Sequence, residues 1–437
     1  MKYINKETIS ILFILNIFLI IYAGFLLNFS QNFNNFNLIE IILALIWVIS
    51  FLVIFFQQKK VLSLYSAFFL IFGLFHLGIP ISNILGYESL YFKQYIQTWY
   101  NGLYGYQALN GILYFIFGYF VVIFFKTLNY EKKDLSFTSS LLFNTFTLCV
   151  FIWIFFTKVY YSVSNYDEYA IGASNNILSF IFIYLNNIIG FLLFLNGFNN
   201  SYQKKSLYIF LIWSIFAFPI GLRGEVLIPF IIFLVVIVNK EIIKLNLLKI
   251  SIICFLILLS SSYVFVNRGS ESIDDISISP LATIQEMGGT LRPVVEVVRW
   301  IDTQELPLQL GATYWAPLER LLTKFIPYTE RLPATEDFRL MNVAIFEKAG
   351  PYGFSVVAEA LINFSFIGAA LIGMLIGYFL RNIDKNGFNY FTLPLIFALF
   401  FHIRQSFVGS FGVFLIGLIT ILIFFFLIDF KSKKNEY

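Results

Sequence analysis

The stretch FSVVAEALINFSFIGAALIGMLIGYFL, residues 354–380, decides the fold class. It runs for 27 residues with Glu359 as its one charged side chain, whereas a helix needs only about 20 apolar residues to cross a bilayer. Similar runs recur along the whole 437-residue chain, which is 59% hydrophobic and 12% charged. A soluble domain is about 45–50% apolar and about 25% charged. The sequence therefore predicts an all-α polytopic membrane protein and excludes an ordinary soluble globule.

Composition also narrows the chemistry. The net charge of +4 is too small to indicate a nucleic-acid partner. The two cysteines, Cys149 and Cys254, lie in separate apolar runs, and the chain has only two histidines. This gives neither a disulfide framework nor a metal-ligand spacing, and the lack of a glycine-rich phosphate loop argues against a nucleotide substrate. We expect no metal ion and no cofactor.

Hydrophobic runs separated by polar breaks predict about twelve transmembrane helices. Sixteen of the twenty lysines fall on one side of the membrane if the N- and C-termini are both cytoplasmic. The first run is too long for a cleaved signal peptide and is interpreted as a span. The whole chain, 1–437, is then a single integral membrane domain. The predicted spans are residues 9–29, 38–56, 61–81, 107–125, 137–156, 176–197, 206–222, 225–239, 250–266, 354–380, 390–404 and 407–430.

The 87 residues between the ninth and tenth predicted spans, 267–353, form one large extracytoplasmic loop. Their sequence indicates a structured segment. Pro293 fits the first turn of an amphipathic helix that runs to about residue 301, and Pro317 fits the first turn of a second helix. A third helix is expected over about 336–348, ending at Gly350. We expect these short helices on the outer face of the bundle or in the membrane interface.

Arginine and lysine are distributed oppositely. None of the nine arginines precedes residue 223, and eight of them lie outside in the predicted topology. Six of these are in the large loop, where long translocated segments escape the positive-inside rule and twelve acidic residues are present to pair with them. Arg223 and Arg404, in contrast, lie in very short outer turns. Because a guanidinium binds two phosphate oxygens at once, this pattern favours an anionic, lipid-embedded ligand at the outer face.

The turn at Arg223 can be placed further. Only 34 residues, 206–239, lie between the lysines that flank the seventh and eighth spans. Each pass is then about 24 Å long, shorter than a hydrocarbon core of about 30 Å. Either the second helix continues toward Lys249, or the turn lies within the outer leaflet. A recessed charge needs a partner: Glu225 is the structural candidate, and an anionic ligand is the functional alternative.

Two further side chains are candidates for proton transfer. Glu359 lies about one and a half turns into the tenth span, and Ser355 and Asn363 share its helix face. An ionisable residue there is a functional candidate; the alternative is a glutamate that only fixes helix packing. His402, at the outer end of the eleventh span, is either a general base or a hydrogen-bonded interfacial histidine.

The second half of the chain carries a family resemblance. In order and spacing, from about residue 219 to 380, the sequence resembles the O-antigen polysaccharide polymerases, within the wider group of oligosaccharide repeat-unit polymerases. The first 200 residues match only in hydropathy. One departure is Ser365, where the resemblance predicts glycine after Asn-Phe. The matching segments are Gly221–Glu225, Glu286–Gly288 through Arg292 to Gly311–Tyr314, and Gly350–Ser355 leading to Glu359 and Asn363.

The resemblance implies a glycosyltransferase of the bacterial cytoplasmic (inner) membrane, with its active site on the extracytoplasmic side. Such an enzyme moves a growing glycan from undecaprenyl diphosphate to the non-reducing end of a new lipid-linked repeat unit. It uses neither nucleotide sugar nor metal. The lipid diphosphate agrees with the ligand that the arginine distribution favours. Undecaprenyl-diphosphate-linked oligosaccharides and the lipid membrane are the expected partners, with a chain-length regulator and a flippase as further candidates.

We hypothesise that the acceptor hydroxyl displaces the lipid diphosphate directly at the anomeric carbon. Glu359 or His402 would remove the acceptor proton, with Asn363 and Glu225 in supporting positions. The large loop would cover the site. The arginines expected to neutralise charge on the departing diphosphate are Arg223 and Arg404, together with Arg292, Arg299 or Arg339 from the loop.

Two other functions are compatible with the same architecture. An O-antigen ligase uses the same donor but attaches finished chains to a lipid core, so its loss leaves no repeat unit on the core, whereas loss of a polymerase leaves one. A lipid-linked oligosaccharide flippase, or another transporter, usually has repeated halves and charges on several spans. Here the charges concentrate in the second half and on one face, which disfavours transport.

Overall fold

The computed structural model of the chain describes residues 6–29, 36–58, 62–87, 96, 98–128, 139–157, 177–195, 201–218, 223–239, 247–268, 278–324, 326, 332–350, 352–388 and 390–434. Every regular element in these ranges is a helix, and no strand occurs within them. The α-helices are α1 Lys6–Phe29, α2 Phe36–Gln57, α3 Leu64–His76, α4 Gly78–Ile84, α5 Leu103–Val121, α6 Ser139–Thr157, α7 Ile177–Leu195, α8 Ser201–Ala217, α9 Arg223–Asn239, α10 Leu247–Arg268, α11 Pro280–Gly288, α12 Arg292–Asp302, α13 Ala312–Thr323, α14 Met341–Ala349, α15 Val356–Asn386, α16 Thr392–His402 and α17 Phe407–Lys434.

Several of these helices can cross a membrane. In the described ranges, α1, α2, α5, α15 and α17 are each long and apolar enough to do so, and α3 with α4 passes the same test as one bent span. Shorter apolar helices, α6 to α10 and α16, occupy the remaining predicted runs. The prediction of an all-helical membrane protein is therefore confirmed. The number of twelve crossings and the cytoplasmic termini stay predictions.

The third predicted span is bent. α3 and α4 meet at Leu77 with an angle of 68° between them. The bend accompanies a close backbone approach, because a Cβ atom added at Gly78 would lie 2.1 Å from the carbonyl oxygen of Ile284 in α11. Only glycine fits at such a distance. A helix of the large loop thus packs directly against the bent span.

The large loop packs into the helix bundle. α12 lies where Pro293 predicted a helix, and it packs on α5 and α15. Its Val294, Val297 and Trp300 side chains have no exposed surface. α11 was not predicted, although Ser279 accepts a hydrogen bond from Leu281 N at 3.2 Å and Pro280 follows it, which is an ordinary helix start.

Two predicted helix starts in the loop are wrong. α13 begins at Ala312, so Pro317 lies inside the helix rather than in its first turn. Gly311, with φ +92°, turns the chain into the helix at that earlier point. α14 begins at Met341 rather than near residue 336, and it ends at Gly350, where φ is +115°.

α15 contains a kink that holds the large loop in place. The backbone leaves helical geometry at residues 364–365, and Ser365 has φ +58° and ψ −158°, a conformation that favours glycine. The kink frees the carbonyl oxygens of residues 362–363 from the helix. They accept hydrogen bonds from the amides of residues 309–310 at 2.8 and 3.2 Å. The start of α13 is therefore anchored to the middle of a membrane-spanning helix.

Candidate functional site

An apolar groove runs between α3, α9 and α10. It encloses about 1050 Å³, including its open mouth. On α9 its lining extends from Gly224 to Leu234, which is about 15 Å of helix at 1.5 Å per residue. The charged residues that line it are Glu286 of α11 and Arg404. The groove is therefore an apolar channel with charge at one end.

Arg404 lies at that end, in the turn formed by residues 403–406 between α16 and α17. Its guanidinium carbon is 5.9 Å from the centre of the Phe75 ring, which also lines the groove. Its carbonyl oxygen accepts a hydrogen bond from Phe354 N at 3.0 Å. Among the residues that the structure describes, no carboxylate pairs with Arg404, and its side chain is exposed. The backbone is thus fixed while the guanidinium is open to a ligand.

Glu359 lies below this turn and is fully buried. Its Oε2 accepts a hydrogen bond from Phe407 N, the first amide of α17, at 2.5 Å, where the helix dipole favours a negative group. Oε1 lies near the hydroxyl of Thr313 but has no hydrogen bond of normal geometry within the described ranges. One carboxylate oxygen therefore supports the 403–406 turn, and the other is available.

Asn363 connects Glu359 to the large loop. Its Nδ2 donates to the Glu359 carbonyl oxygen at 2.7 Å and to Thr313 Oγ1 at 2.6 Å, while its Oδ1 accepts from Gly311 N at 2.8 Å. These contacts hold Tyr314 with its ring centre 5.1 Å from that of Phe407. Asn363, which was predicted to support the site, therefore lies between α15 and α13 and links the two helices.

The hydroxyl of Tyr314 is buried beside Glu359 and has no hydrogen-bond partner in the described part of the chain. Burial, and then the nearby charge of Glu359, raises the pKa of Tyr314 well above its ordinary value. The hydroxyl thus keeps its proton. It is a donor next to a carboxylate with one available oxygen. This pairing joins distant segments and could not be predicted from the sequence.

The two histidines occupy different positions. His402 is 5% exposed, and its Nδ1 lies 3.0 Å from the carbonyl oxygen of Gln405, to which it can only donate. It therefore braces the 403–406 turn from inside. His76 likewise places Nδ1 3.0 Å from Phe72 O and Nε2 2.8 Å from Ser355 Oγ, so it joins α3 to the start of α15.

Two of the predicted diphosphate ligands share one carboxylate. Arg299 lies 3.0 Å from Glu296 Oε2, and Arg292 Nε lies 3.8 Å from Oε1 of the same residue. The Arg292 guanidinium also stacks on Tyr352, at 4.0 Å from the ring centre, and lies 5.9 Å from the centre of Trp99. These arginines therefore have protein partners in α12 and around it.

Arg339 is the most fully paired of the predicted ligands. It lies 2.8 Å from Glu319 and 2.9 Å from Asp337, and Arg320 also contacts Asp337 at 3.0 Å. Burial alone would raise the pKa of Asp337, but the hydrogen bonds and charge of Arg339, with a hydrogen bond from Arg320, hold it below its ordinary value. The hydrogen bonds that Arg339 donates to Asp337 and Glu319 in turn raise the pKa of Arg339. This cluster joins α13 to the segment before α14.

The turn at Arg223 is described in part. Arg223 is the first residue of α9, but its side chain lies outside the described residues. The next residue, Gly224, lines the apolar groove, as Arg404 does. Glu225 is in the first helical turn, and its carbonyl oxygen accepts a hydrogen bond from Asn187 Nδ2 at 3.1 Å. The N-terminus of α9 and the 403–406 turn thus both border the groove.

Comparison with known proteins identifies the family. The sequence profile of the O-antigen polysaccharide polymerase Wzy matches residues 8–435, nearly the whole chain. The chain belongs to this polymerase family. It is similar to Protein CapE of Staphylococcus aureus, with 22% identity over 380 residues that cover 84% of each chain. No solved structure matches it significantly.

Membership of the Wzy family implies polymerisation of lipid-linked oligosaccharide repeat units by a multi-pass membrane protein. The structure also shows Gln405 near the candidate site, which the sequence did not single out, and Glu286 and Tyr314, which lie in the matching segments but had no predicted role. Their apolar surroundings gave no signal, because each is brought to the site by contacts between distant segments. In the described ranges, no three histidine, cysteine, aspartate or glutamate side chains are grouped as a metal ion would require.

Proposed function

We propose that this chain polymerises undecaprenyl-diphosphate-linked repeat units into O-antigen or capsule-type polysaccharide on the outer face of the bacterial cytoplasmic membrane. The observation that carries the proposal is the apolar groove with Arg404 at its end. A polyprenyl chain fits a long apolar channel, and its diphosphate needs a cation where the channel ends. Among the described arginines, Arg404 has no carboxylate partner and borders the groove.

The N-terminus of α9 completes this end of the groove. Arg223 is the first residue of α9 and Gly224 lines the groove. The amides of a helix N-terminus and the helix dipole favour a phosphate group. We therefore place one face of the diphosphate against α9 and the other against the Arg404 guanidinium, which binds two oxygens at once. Arg292 is our candidate for a second, loop-borne contact, because its guanidinium stacks on Tyr352 and is held in a fixed orientation.

In the proposed reaction an acceptor hydroxyl attacks the anomeric carbon of the growing chain. The new glycosidic C–O bond forms as the bond from that carbon to the diphosphate oxygen breaks. The electron pair leaves with the lipid diphosphate, and the arginines stabilise its charge. The proton of the acceptor hydroxyl passes to a base, for which Glu359 and His402 are the candidates. Both stay candidates: Glu359 has an available Oε1, and His402, whose Nδ1 donates to the Gln405 carbonyl oxygen, keeps Nε2 as its basic nitrogen.

Glu359 can be tested as a base separately from its support of the turn. Glu359→Gln keeps an oxygen that can accept from Phe407 N but cannot take a proton. If Glu359 is the base, both Glu359→Gln and Glu359→Ala abolish polymer. If it only supports the 403–406 turn, Glu359→Gln retains polymer and Glu359→Ala loses it together with thermal stability.

The groove can be tested with the cysteine that lines it. Cys254 borders the groove, whereas Cys149 is buried in α6. In a Cys149→Ala background, a membrane-permeant maleimide should modify Cys254, and undecaprenyl diphosphate should slow that modification at least severalfold. Farnesol at the same concentration is the control for a nonspecific apolar ligand. An unchanged rate with undecaprenyl diphosphate would contradict placement of the lipid in the groove.

The function itself is tested by the surface polysaccharide of a deletion strain. Loss of a polymerase leaves a single repeat unit on the acceptor, and the wild-type gene restores the ladder of longer chains. Complete loss of the repeat unit from the surface would contradict the proposal and indicate a ligase or a flippase. The proposed topology is tested by externally added reagents, which should reach a cysteine at position 404 in intact cells.

A further inference from the structure

A cluster of buried amides adjoins the Arg404 end of the apolar groove. Gly224 and Arg404 line the groove, and their chain neighbours contact α7 behind it. Asn187 Nδ2 donates to the Glu225 carbonyl oxygen at 3.1 Å, and Gln405 Nε2 donates to the Tyr184 hydroxyl at 3.1 Å. Since residues three apart share a helix face, Tyr184 and Asn187 form one polar surface of α7, and this surface contacts the residues that follow Gly224 and Arg404 in the chain.

Two hydrogen-bond acceptors in this cluster are unused. Asn187 is 1% exposed, and its Oδ1 has no partner among the described residues; the same is true of Gln405 Oε1, which is also buried. The orientation of the Asn187 amide is fixed, because its Nδ2 faces a carbonyl oxygen that can only accept. A buried acceptor without a donor is costly, so a ligand that brings donors to this pair would bind favourably.

The chemistry of that ligand follows from the two oxygens. A phosphate offers mainly acceptor oxygens and cannot satisfy Asn187 Oδ1, whereas a sugar hydroxyl donates. The first sugar of a lipid-linked glycan is bonded directly to the diphosphate. With the diphosphate at Arg404, this sugar is the hydroxyl-bearing group that lies next to the amides.

We propose that Asn187 and Gln405 form a subsite for the hydroxyl groups of the first sugar of the donor. The proposal rests on the function proposed above and assigns a specificity role to α7, a part of the chain outside the matching motifs. The subsite binds the sugar at the reducing end of the growing chain. It thereby holds the anomeric carbon next to the departing diphosphate.

The experiment compares two probes bound to the purified full-length chain in lipid nanodiscs. One probe is undecaprenyl diphosphate, and the other is the lipid-linked repeat unit extracted from a strain that lacks this chain. We expect Asn187→Leu to weaken binding of the lipid-linked repeat unit about tenfold and to leave binding of undecaprenyl diphosphate unchanged. Gln405→Met should also weaken binding of the lipid-linked repeat unit. It provides a second variant if Asn187→Leu does not fold.

Asn186→Leu is the matched control. Asn186 is also 1% exposed and also has no hydrogen-bond partner within the described ranges. It points about 100° away from Asn187 around α7, on the side where a Cβ at Gly190 would lie 3.3 Å from Phe146 of α6. We expect its affinity for both probes to equal that of the wild type. Weakening by Asn186→Leu equal to that of Asn187→Leu would overturn the subsite.

The outcomes separate this subsite from the function on which it rests. If Arg404→Ala weakens binding of both probes while Asn187→Leu and Gln405→Met weaken neither, the subsite is overturned and the lipid groove stands. If Asn187→Leu weakens both probes equally, its effect is on the diphosphate or on folding, and the subsite is likewise overturned. If Arg404→Ala does not change the binding of either probe, the proposed diphosphate site is wrong, whatever the results for the amide variants.

Discussion

Arg339 and Arg404 are both predicted on the outer face, yet their surroundings differ. Arg339 contacts Glu319 and Asp337, and Asp337 contacts a second arginine, Arg320. Arg404 borders an apolar groove, and no described carboxylate pairs with it. The first arrangement satisfies its own charges and joins two parts of the loop. In the second arrangement the positive charge is not paired with a described carboxylate and can bind an anionic ligand.

The difference shows how a charge pattern should be read. The position of an arginine on the outer face does not by itself indicate a ligand, because an acidic loop supplies protein partners. What separates the two arginines is the partner within reach. In the very short turn of residues 403–406 the guanidinium has no neighbouring carboxylate in sequence, and the fold brings none to it from the described helices. We therefore propose that Arg404 contacts the ligand and that Arg339 belongs to the scaffold.

Replacement of Arg404 should give the largest effect. We expect Arg404→Ala to reduce polymer formation by about 100-fold, the loss typical of removing one preorganised group that stabilises a developing anion. Arg404→Lys keeps the charge but loses the two-pronged contact, so it should retain part of the activity. The measurement is the distribution of polysaccharide chain lengths from cells that express equal amounts of each variant.

The scaffold arginine provides the control for this experiment. Neither Arg404 variant should lower the thermal midpoint of the purified protein, because no ion pair with a described residue is lost. Normal chain lengths in Arg404→Ala, or the same loss of polymer in Arg339→Ala and Arg404→Ala at equal stability, would remove the distinction between the two arginines.

Arg339→Ala should act on stability. It removes the contacts to Glu319 and Asp337, but Asp337, which is 1% exposed, keeps Arg320 as a partner. We expect the free energy of unfolding to fall by about 1–2 kcal/mol and the thermal midpoint to fall by about 2–4 °C. Differential scanning fluorimetry in detergent gives the midpoint, and proteolysis of the loop gives a local measure. An unchanged midpoint together with shortened polymer would place Arg339 at the ligand instead.

The pH dependence of stability reports on the same scaffold cluster. The pKa of Asp337 is lower in the folded protein than its ordinary value near 3.9. The ionised carboxyl therefore stabilises the fold fully above about pH 4, and this contribution is lost as the pH falls through the folded-state pKa. Asp337→Asn should be less stable than the wild type at pH 7. The gap between their thermal midpoints should narrow by about pH 3, and a gap that stays constant would contradict the assigned pairing.

The sequence predicted those features of the fold that depend on continuous apolar runs. A membrane helix needs an uninterrupted apolar segment, so a helix lies in every predicted run, and Glu359 could be recognised as an unusual residue within one. The bend at Leu77 could not be predicted, because it accompanies a contact of Gly78 with Ile284, more than 200 residues away. The same reason applies to Phe407, whose amide binds the Glu359 carboxylate from another helix.

Of the candidate site, only the charged residues could be predicted from the sequence. The arginine distribution indicated an anionic ligand before any contact was known, but it could not separate Arg339 from Arg404. That separation depends on Glu319, which lies 20 residues before Arg339 and reaches it only after α13 has packed. The amides of Asn187 and Gln405 carry no charge and lie in apolar surroundings, so no pattern in the sequence marks them.

The smallest effect is expected at Ser365, where the scaffold is strained. Its φ of +58° and ψ of −158° suit glycine, which is the residue that the family resemblance predicts there. Ser365→Gly should raise the free energy of unfolding by about 0.5–1 kcal/mol, the gain typical when a strained backbone is relieved. Ser365→Ala is the control, because it keeps the Cβ atom and its free energy of unfolding should not rise. Polymer chain length should stay normal in both variants, since the kink anchors the loop through residues 309–310 and these contacts involve only backbone atoms. A shortened polymer in Ser365→Gly would show that strain in α15 reaches the 403–406 turn through Glu359, and the scaffold would then be part of the machinery that handles the ligand.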